Sequence, residues 1–199
     1  IGSGQLSVLQ SSVYAGADPR LVQTASGTNV LVFTQDVESR STGNHTAVAY
    51  SVYDDASGEW SEPRIVDDDG TADFDPSVAV SGDEVWIAWG NASRQFDEAE
   101  VASPDFLSEL ARSCDIEAAS LSFGSDAGRS GEASIETMRI TQDDVYDSNA
   151  SIAVVDGVAQ VAWLANEGND PLALSGSNSV MLASAEEGAQ ARCVYACDA

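Results

Sequence analysis

The sequence contains no lysine and only one histidine. Its basic charge comes from eight arginines, against 33 aspartates and glutamates, and the formal net charge is −25. A charge of this size and sign repels the phosphates of nucleic acids and anionic membrane surfaces. We therefore expect no nucleic-acid partner.

Long apolar segments are also missing. No apolar run approaches the ~20 residues that a membrane-spanning helix needs, and no basic start leads into an apolar signal segment. We therefore expect no membrane insertion. The first residues, at 5–10, have a strand-like pattern, which favours a mature form or an excised part of a longer protein.

Cysteine is scarce, with Cys114, Cys193 and Cys197 as the three examples. They are too few for a disulfide framework and do not make a zinc site, which needs four Cys or His ligands. The sequence leaves open either one disulfide with one free thiol or three buried free thiols. The single histidine, His45, is interpreted as a loop residue because no nucleophile motif stands beside it.

A motif of two apolar runs around a short polar turn occurs three times, in segments 18–35, 75–91 and 149–166. Repetition on this scale is typical of architectures in which each unit supplies part of a shared core. The alignment puts two sets of residues in equivalent positions: Pro19, Pro76 and Ala150, then Thr34, Trp89 and Trp163.

Each unit predicts four short strands divided by turn clusters. In the first unit these strands are 19–25, 29–35, 46–54 and 59–68. The second strand of each unit is an almost continuous apolar run, which indicates that both of its faces are covered.

This pattern predicts an all-β fold, a β-propeller-like array of about three four-stranded antiparallel blades with a leading strand. A pair of β-sandwiches is the alternative, but it would not require the same pattern in every unit. We predict a single repeat domain over 1–199, with the leading strand at 5–10 and blades at 18–68, 75–142 and 149–197.

The second unit carries an insertion, 94–115, between its second and third strands. Ser103 is a predicted N-cap, Pro104 suits the first helical position and Asp105 suits the first turn. We predict one short helix, at about 104–112, as the only helix. The insertion either carries a binding function or covers an exposed blade edge.

The segment "YSVYDDASGEWSEP" (50–63) and the recurrent "DPSVAV…VWIAW" pattern resemble the sialidase-like propellers with BNR or Asp-box repeats. Asp55, Gly58 and Trp60 match a loosened Ser-x-Asp-x-Gly-x-x-Trp hairpin, which in that family is a structural turn. True sialidases use an arginine triad, a Tyr–Glu pair and an Asp acid, with an early Arg-Ile-Pro motif. The sequence has no Arg-Ile-Pro, so the resemblance implies a non-catalytic member.

The densest carboxylate cluster is "DDDGTADFD", which surrounds Gly70. Acidic loops rich in oxygen can bind Ca²⁺, although this spacing does not fit an EF-hand. The alternative is a turn between units, formed through the equivalent residues Asp18, Asp75 and Asn149. Repetition favours the turn, so we assign no metal site and keep Ca²⁺ as the minor alternative. The four carboxylates concerned are Asp67, Asp69, Asp73 and Asp75.

Other candidate residues have structural interpretations. Trp86, Trp89 and Trp163 are candidates for sugar stacking, but the repeated phase of the last two predicts core positions, and Trp60 is expected to pack its hairpin. We assign no catalytic and no cofactor-binding residue. Three triplets, beginning at Asn44, Asn91 and Asn149, match the N-glycosylation pattern and carry weight only in a eukaryotic protein.

These observations predict a non-catalytic extracellular or cell-surface module for recognition or scaffolding, part of a larger surface protein, that binds a protein or a glycan. The alternative is an accessory part of a sialidase-like glycoside hydrolase whose catalytic residues lie outside this chain. Three units are fewer than the four to eight blades that close a propeller, so we expect further blades or a homo-oligomer.

Overall fold

The protein is built from three antiparallel β-sheets with three short helices between strands. The computed structural model describes residues 8–9, 11, 13–172, 175–186 and 188–197. Consecutive strands of the chain are neighbours in each sheet, which is the arrangement that short hairpin connections produce. The predicted all-β class and the three four-stranded units are confirmed.

In the first sheet, the second strand pairs with the first and the third. Phe33 of the second strand lies opposite Ala49 of the third. Two very short strands take the place of a fourth one, and both pair with the third strand. The strands are β1 (Arg20–Gln23), β2 (Asn29–Asp36), β3 (Thr46–Asp54), β4 (Glu59–Trp60) and β5 (Arg64–Ile65).

The second and third sheets repeat one design with longer strands. The second contains β6 (Asp73–Ser81), β7 (Glu84–Ala92), β8 (Cys114–Phe123) and β9 (Ala133–Arg139). The third contains β10 (Tyr146–Val155), β11 (Val158–Asn166), β12 (Asn178–Ser184) and β13 (Arg192–Cys197).

The aligned residues Asp18, Asp75 and Asn149 share a left-handed backbone, with φ of 43°, 49° and 54°. Asp and Asn are the residues that adopt this region most easily after glycine. In β6 and β10 the strand pairing slips by one residue at this point, which is a β-bulge. The three positions are equivalent, as predicted, but the turn interpretation was wrong for Asp75 and Asn149, which lie within strands.

Strand β7 is covered on both faces, which explains its continuous apolar run. Val85, Ile87 and Trp89 pack in the core shared with the first sheet. Ala88 and Trp86, which alternate with them, pack in the core shared with the third sheet. The second sheet is therefore the middle layer of the array.

The third sheet presents its other face uncovered by any residue that the structure describes. Three apolar side chains there are substantially exposed: Val155, Val158 and Leu164, at 55%, 37% and 41%. The three sheets form an open array and do not close on themselves.

The helices correct one prediction in part. A helix lies where one was predicted, as α2 (Phe106–Ser113), but α1 (Glu98–Val101) and α3 (Ala127–Ser130) also form. The predicted cap was wrong, because Ser103 precedes α2 by a turn and the capping box belongs to Asp97 and Glu100 of α1. No helix in the described ranges is long and apolar enough to cross a membrane.

Two further expectations concern the chain ends and the thiols. The predicted strand 5–10 lies outside the described residues, except for Val8 and Leu9, which are not in a strand. Cys114 and Cys193 are both free, the first buried and the second exposed. Any pairing of the three cysteines would use one of these two, so the disulfide was wrong, and so was the burial of all three thiols.

The middle layer predicts where the fold is most sensitive. Ile87 is fully buried, and Ile87→Ala is expected to lower the free energy of unfolding by about 2–5 kcal/mol because it leaves a cavity. Leu21→Ala removes a side chain that is 64% exposed and is expected to change it by less than about 0.5 kcal/mol. Urea unfolding of both variants measures the difference, and equal losses would contradict the assignment of the core.

Candidate functional site

Acidic residues gather at one end of the sheets, where β2, β7 and β11 finish and β6 and β10 begin. We call this the loop end; it comprises residues 37–45, 67–72, 93–113 and 140–145. Three nearly buried carboxylates lie directly below it, in the first residues of β6, β8 and β10: Asp73, Asp115 and Asp147, which are 2%, 1% and 2% exposed.

The insertion after β7 is a fixed cap on the loop end. The backbone N–H of Phe96 donates to Asn44 Oδ1 at 2.9 Å, and the Asn44 amide donates to the Phe96 carbonyl at 2.8 Å. The rings of Phe96 and Phe106 pack edge-on with centroids 5.4 Å apart. The insertion is thereby tied to the first sheet while α2 lies over β7 and β10.

A cleft of about 140 Å³ lies between α2 and the first residues of β6 and β10. Within the described part of the chain, no basic side chain lines it. Its apolar walls are Phe74, Leu107, Leu110, Tyr146 and Pro171. Its polar groups include Asp75, Asp147, Ser148 and Asn149.

Asp73 joins the first and second sheets. Its Oδ1 accepts from the Trp89 indole at 2.9 Å and from the Asn91 amide at 3.0 Å. Its Oδ2 accepts from the backbone N–H of Val48 in the first sheet at 2.8 Å. Burial raises the pKa of Asp73 to about 7, although the Val48 and Asn91 donors lower it. The carboxylate is a structural link with all its donors in place.

A second carboxylate–indole pair lies within the third sheet, on the side that packs against the second sheet. The Trp163 indole donates to Asp147 Oδ1 at 2.9 Å, with the same spacing along the chain as Asp73 and Trp89. Here two more carboxylates converge, because ligand oxygens of Asp115, Asp143 and Asp147 all lie within 4.8 Å of one another. Burial raises the pKa of Asp147 to about 7 and that of Asp115 to about 6.

Three of the four arginines in or beside the loop end each pair with a different carboxylate, and the fourth, Arg112, is exposed at the end of α2. Glu117 is 5% exposed, and its Oε1 accepts from Arg139 at 2.9 and 3.1 Å. The three pairs are Arg40 with Asp68, Arg94 with Glu100 and Arg139 with Glu117. These guanidinium groups are therefore occupied separately and do not form one anion-binding cluster.

The four carboxylates singled out in the sequence do not meet at one point. Asp69 Oδ1 accepts from the N–H and hydroxyl of Thr71, at 2.8 and 2.7 Å. Asp75 is exposed as a residue. Partial desolvation of its carboxylate raises the pKa of Asp75, and the neighbouring Asp18 carboxylate raises it further. The cluster of Asp115, Asp143 and Asp147 was missed. Its only signal in the sequence is weak: Asp115 and Asp147 are each the second residue of a strand that carries other polar side chains as well.

The tryptophan predictions are confirmed. Trp89 and Trp163 are 0% and 3% exposed, and Trp60 packs on Tyr53 with ring centroids 5.3 Å apart. In that hairpin the carboxylate that accepts from Ala56 N–H, at 3.1 Å, belongs to Asp54. The prediction had used the neighbouring Asp55 instead.

Two remaining candidates also have structural roles. His45 lies in a loop, as predicted, with Nδ1 3.0 Å from Asp36 Oδ1. Of the three glycosylation triplets, those at Asn44 and Asn91 begin with side chains that are 4% and 1% exposed, and both amides are hydrogen-bonded. Only Asn149 is exposed.

Several solved structures that resemble this chain are sialidases. The Hadza microbial sialidase Hz136 superposes with a TM-score of 0.54 at 17% identity, over 89% of this chain and 37% of its own. Trypanosoma rangeli sialidase with the inhibitor DANA gives 0.56 at 13%, over 91% and 30%. The same enzyme with 2,3-difluorosialic acid gives 0.54 at 11%, over 94% and 31%.

The fold is sialidase-like. At these identities the likeness concerns the fold alone, and the chain spans about a third of the length of the sialidases it matches. The chain matches no protein-family model and no curated protein at a significant level.

The buried carboxylates predict a pH dependence of stability. In the folded state Asp73 binds its proton more tightly than in the unfolded chain, where its pKa is 3.8. The contribution of Asp73 to the free energy of unfolding is therefore full below about pH 4, and it is lost as the pH rises to about 7. We expect the free energy of unfolding of the parent chain to fall between about pH 4 and pH 7. The free energy of unfolding of Asp73→Asn should fall less steeply over the same interval.

The measurement is denaturant unfolding at several pH values. Asp144→Asn removes an equal charge from an exposed position and is expected to keep the slope of the parent chain. An Asp73→Asn slope as steep as that of this control would contradict the raised pKa.

Proposed function

We propose that this chain is a non-catalytic recognition module of a larger extracellular or cell-surface β-propeller. Its cleft beside α2 binds a lysine or arginine side chain of a protein partner. The observation that supports this most is the lining of the cleft, which combines apolar walls with the exposed carboxylate of Asp75.

The chemistry of the cleft matches such a side chain. Lysine and arginine have apolar stems that pack against surfaces such as Phe74, Leu107 and Leu110, while the charged head needs a carboxylate. The net charge of −25 also favours the approach of a cationic partner. A neutral glycan stacked on Phe74 or Tyr146 is the other ligand class, and it lacks this charge complementarity.

The apolar outer face of the third sheet supports further blades. The corresponding face of the second sheet, with Trp86 and Ala88, is covered by the third sheet. The exposed Val155 and Leu164 would be covered in the same way by a fourth sheet. Sialidases of similar fold are roughly two and a half to three times as long as this chain. A homo-oligomer would cover the face through a second copy.

The arginines argue for a non-catalytic role. Recognition of a sialic acid carboxylate needs guanidinium groups that are available to it. Arg40, Arg94 and Arg139 each pair with a carboxylate of this chain. The second candidate function, an accessory part of a glycoside hydrolase completed by other blades, is favoured by the sialidase-like fold alone.

The proposed function predicts selective binding to basic peptides. A displayed peptide library is expected to yield sequences with lysine or arginine, whereas a glycan array is expected to show no sialylated ligand. Asp75→Asn should weaken the selected peptides about 10-fold, because it removes one charge-assisted hydrogen bond.

Asp83→Asn is the matched control, because Asp83 is exposed in the turn at the opposite end of β6. Equal weakening by both variants would show only long-range charge attraction and would contradict the cleft. Selection of neutral glycans would favour the other ligand class. Release of sialic acid from a fluorogenic sialoside by the longer protein would overturn the non-catalytic role.

A further inference from the structure

The two carboxylate–indole pairs differ at one position. In the second sheet Asp73 lies opposite Asn91 on the neighbouring strand, and the Asn91 amide donates to it. In the third sheet Asp147 lies opposite Ala165 in the same register. A methyl group thus stands where the first pair has a hydrogen-bond donor.

The missing donor leaves an oxygen of Asp147 without a partner. Asp147 Oδ2 is buried and accepts no hydrogen bond from any described residue. The Thr141 hydroxyl lies beside both Asp147 and Asp115 and lowers the pKa of each, with its oxygen 3.3 Å from Asp115 Oδ1. It has one hydrogen, so it cannot satisfy both carboxylates at once. An unpaired carboxylate oxygen at a site that is 2% exposed is strongly disfavoured unless a proton or a cation neutralises it.

Among the described residues, no basic side chain is one of the groups that shift the pKa of Asp147. Arg112, at the end of α2, is exposed. Arg139, the arginine that acts on Asp115, directs its guanidinium group to Glu117 at 2.9 Å. Instead, two further carboxylates approach Asp147, with ligand oxygens within 4.8 Å. Three like charges at this distance repel one another, and a divalent ion among them reverses the sign of the interaction.

We propose that Asp115, Asp143 and Asp147 bind a divalent cation of the Ca²⁺ type. All three ligands are carboxylates, which suit hard cations and not the softer metals that select thiolate or imidazole. Ca²⁺ takes six to eight oxygens in flexible geometry, so the exposed Asp143 leaves room for water to complete the shell. The ion would join β8 of the second sheet to β10 of the third.

The site adjoins the cleft proposed above and shares Asp147 with it, but each has a carboxylate of its own. Asp143 is not part of the cleft lining, whereas Asp75 lines the cleft and is not part of the cluster. Loss of cation binding with peptide binding retained would therefore concern this site alone. The reverse result would concern the cleft alone.

The first experiment is thermal unfolding of the chelator-treated chain with CaCl₂, against NaCl of equal ionic strength. We expect Ca²⁺ to raise the midpoint well beyond NaCl, because it binds the folded state only. Asp143→Asn and Asp147→Asn should weaken the apparent affinity by about 10–100-fold each, and Asp144→Asn, an exposed neighbour, should not.

A second variant tests the comparison between the two pairs directly. Ala165→Asn places an amide where Asn91 stands in the other pair and is expected to abolish the Ca²⁺ effect while raising the midpoint in chelator. Asp147→Asn should also raise that midpoint, because it removes a charge from the repelling group. Either result keeps the proposal testable if the other variant does not fold.

Terbium(III) luminescence gives a reading at the site itself. The indole of Trp163 donates a hydrogen bond to Asp147, so excitation of the protein should sensitise a bound Tb³⁺ ion. Ca²⁺ should displace the Tb³⁺ and remove the luminescence. Asp143→Asn should lose this signal and Asp144→Asn should keep it. Equal effects of CaCl₂ and NaCl, or equal losses in both variants, would overturn the proposal and leave a cluster neutralised by protons.

Discussion

The loop end depends on the hydrogen bonds of one buried carboxylate, that of Asp73 at the start of β6. Asp73 accepts from an indole and an amide of its own sheet and from a backbone N–H of the preceding sheet. Because an isolated buried charge is strongly disfavoured, all three donors must be held in position for the carboxylate to stay there. The carboxylate therefore fixes how the two sheets meet and where the adjoining loops begin.

The repeat shows how such a link can acquire a function. In the first unit Thr34 stands where the later units have Trp89 and Trp163, and no carboxylate–indole pair forms there among the described residues. The second unit has the pair with its full set of donors. The third has the pair without the amide, and gains Asp115 and Asp143 beside it. The same backbone thus supports a neutral junction, a satisfied carboxylate and an acidic cluster.

The sequence predicts the features that depend on local periodicity. Alternation and turn residues indicate the strands, and the repeated phase of Trp89 and Trp163 indicates their burial. The bulge at Asp75 and Asn149 was not predicted, because the same residue types, Asp and Asn, occupy left-handed positions in strands and in turns. The acidic cluster was not predicted because Asp115 and Asp147 belong to different sheets. Their distance depends on how those sheets pack, and no spacing along the chain encodes it.

The energetics of the cluster argue that it is maintained for what it binds. Replacing Ala165 by asparagine would restore the donor that the second unit has, and a single substitution would thereby relieve the buried oxygen of Asp147. Removing either acidic neighbour would relieve the repulsion as well. The chain instead keeps three converging carboxylates beside the cleft and near the insertion that caps the loop end. A buried oxygen left unpaired on a framework that satisfies its counterpart elsewhere is the pattern expected where binding rather than packing determines the residues.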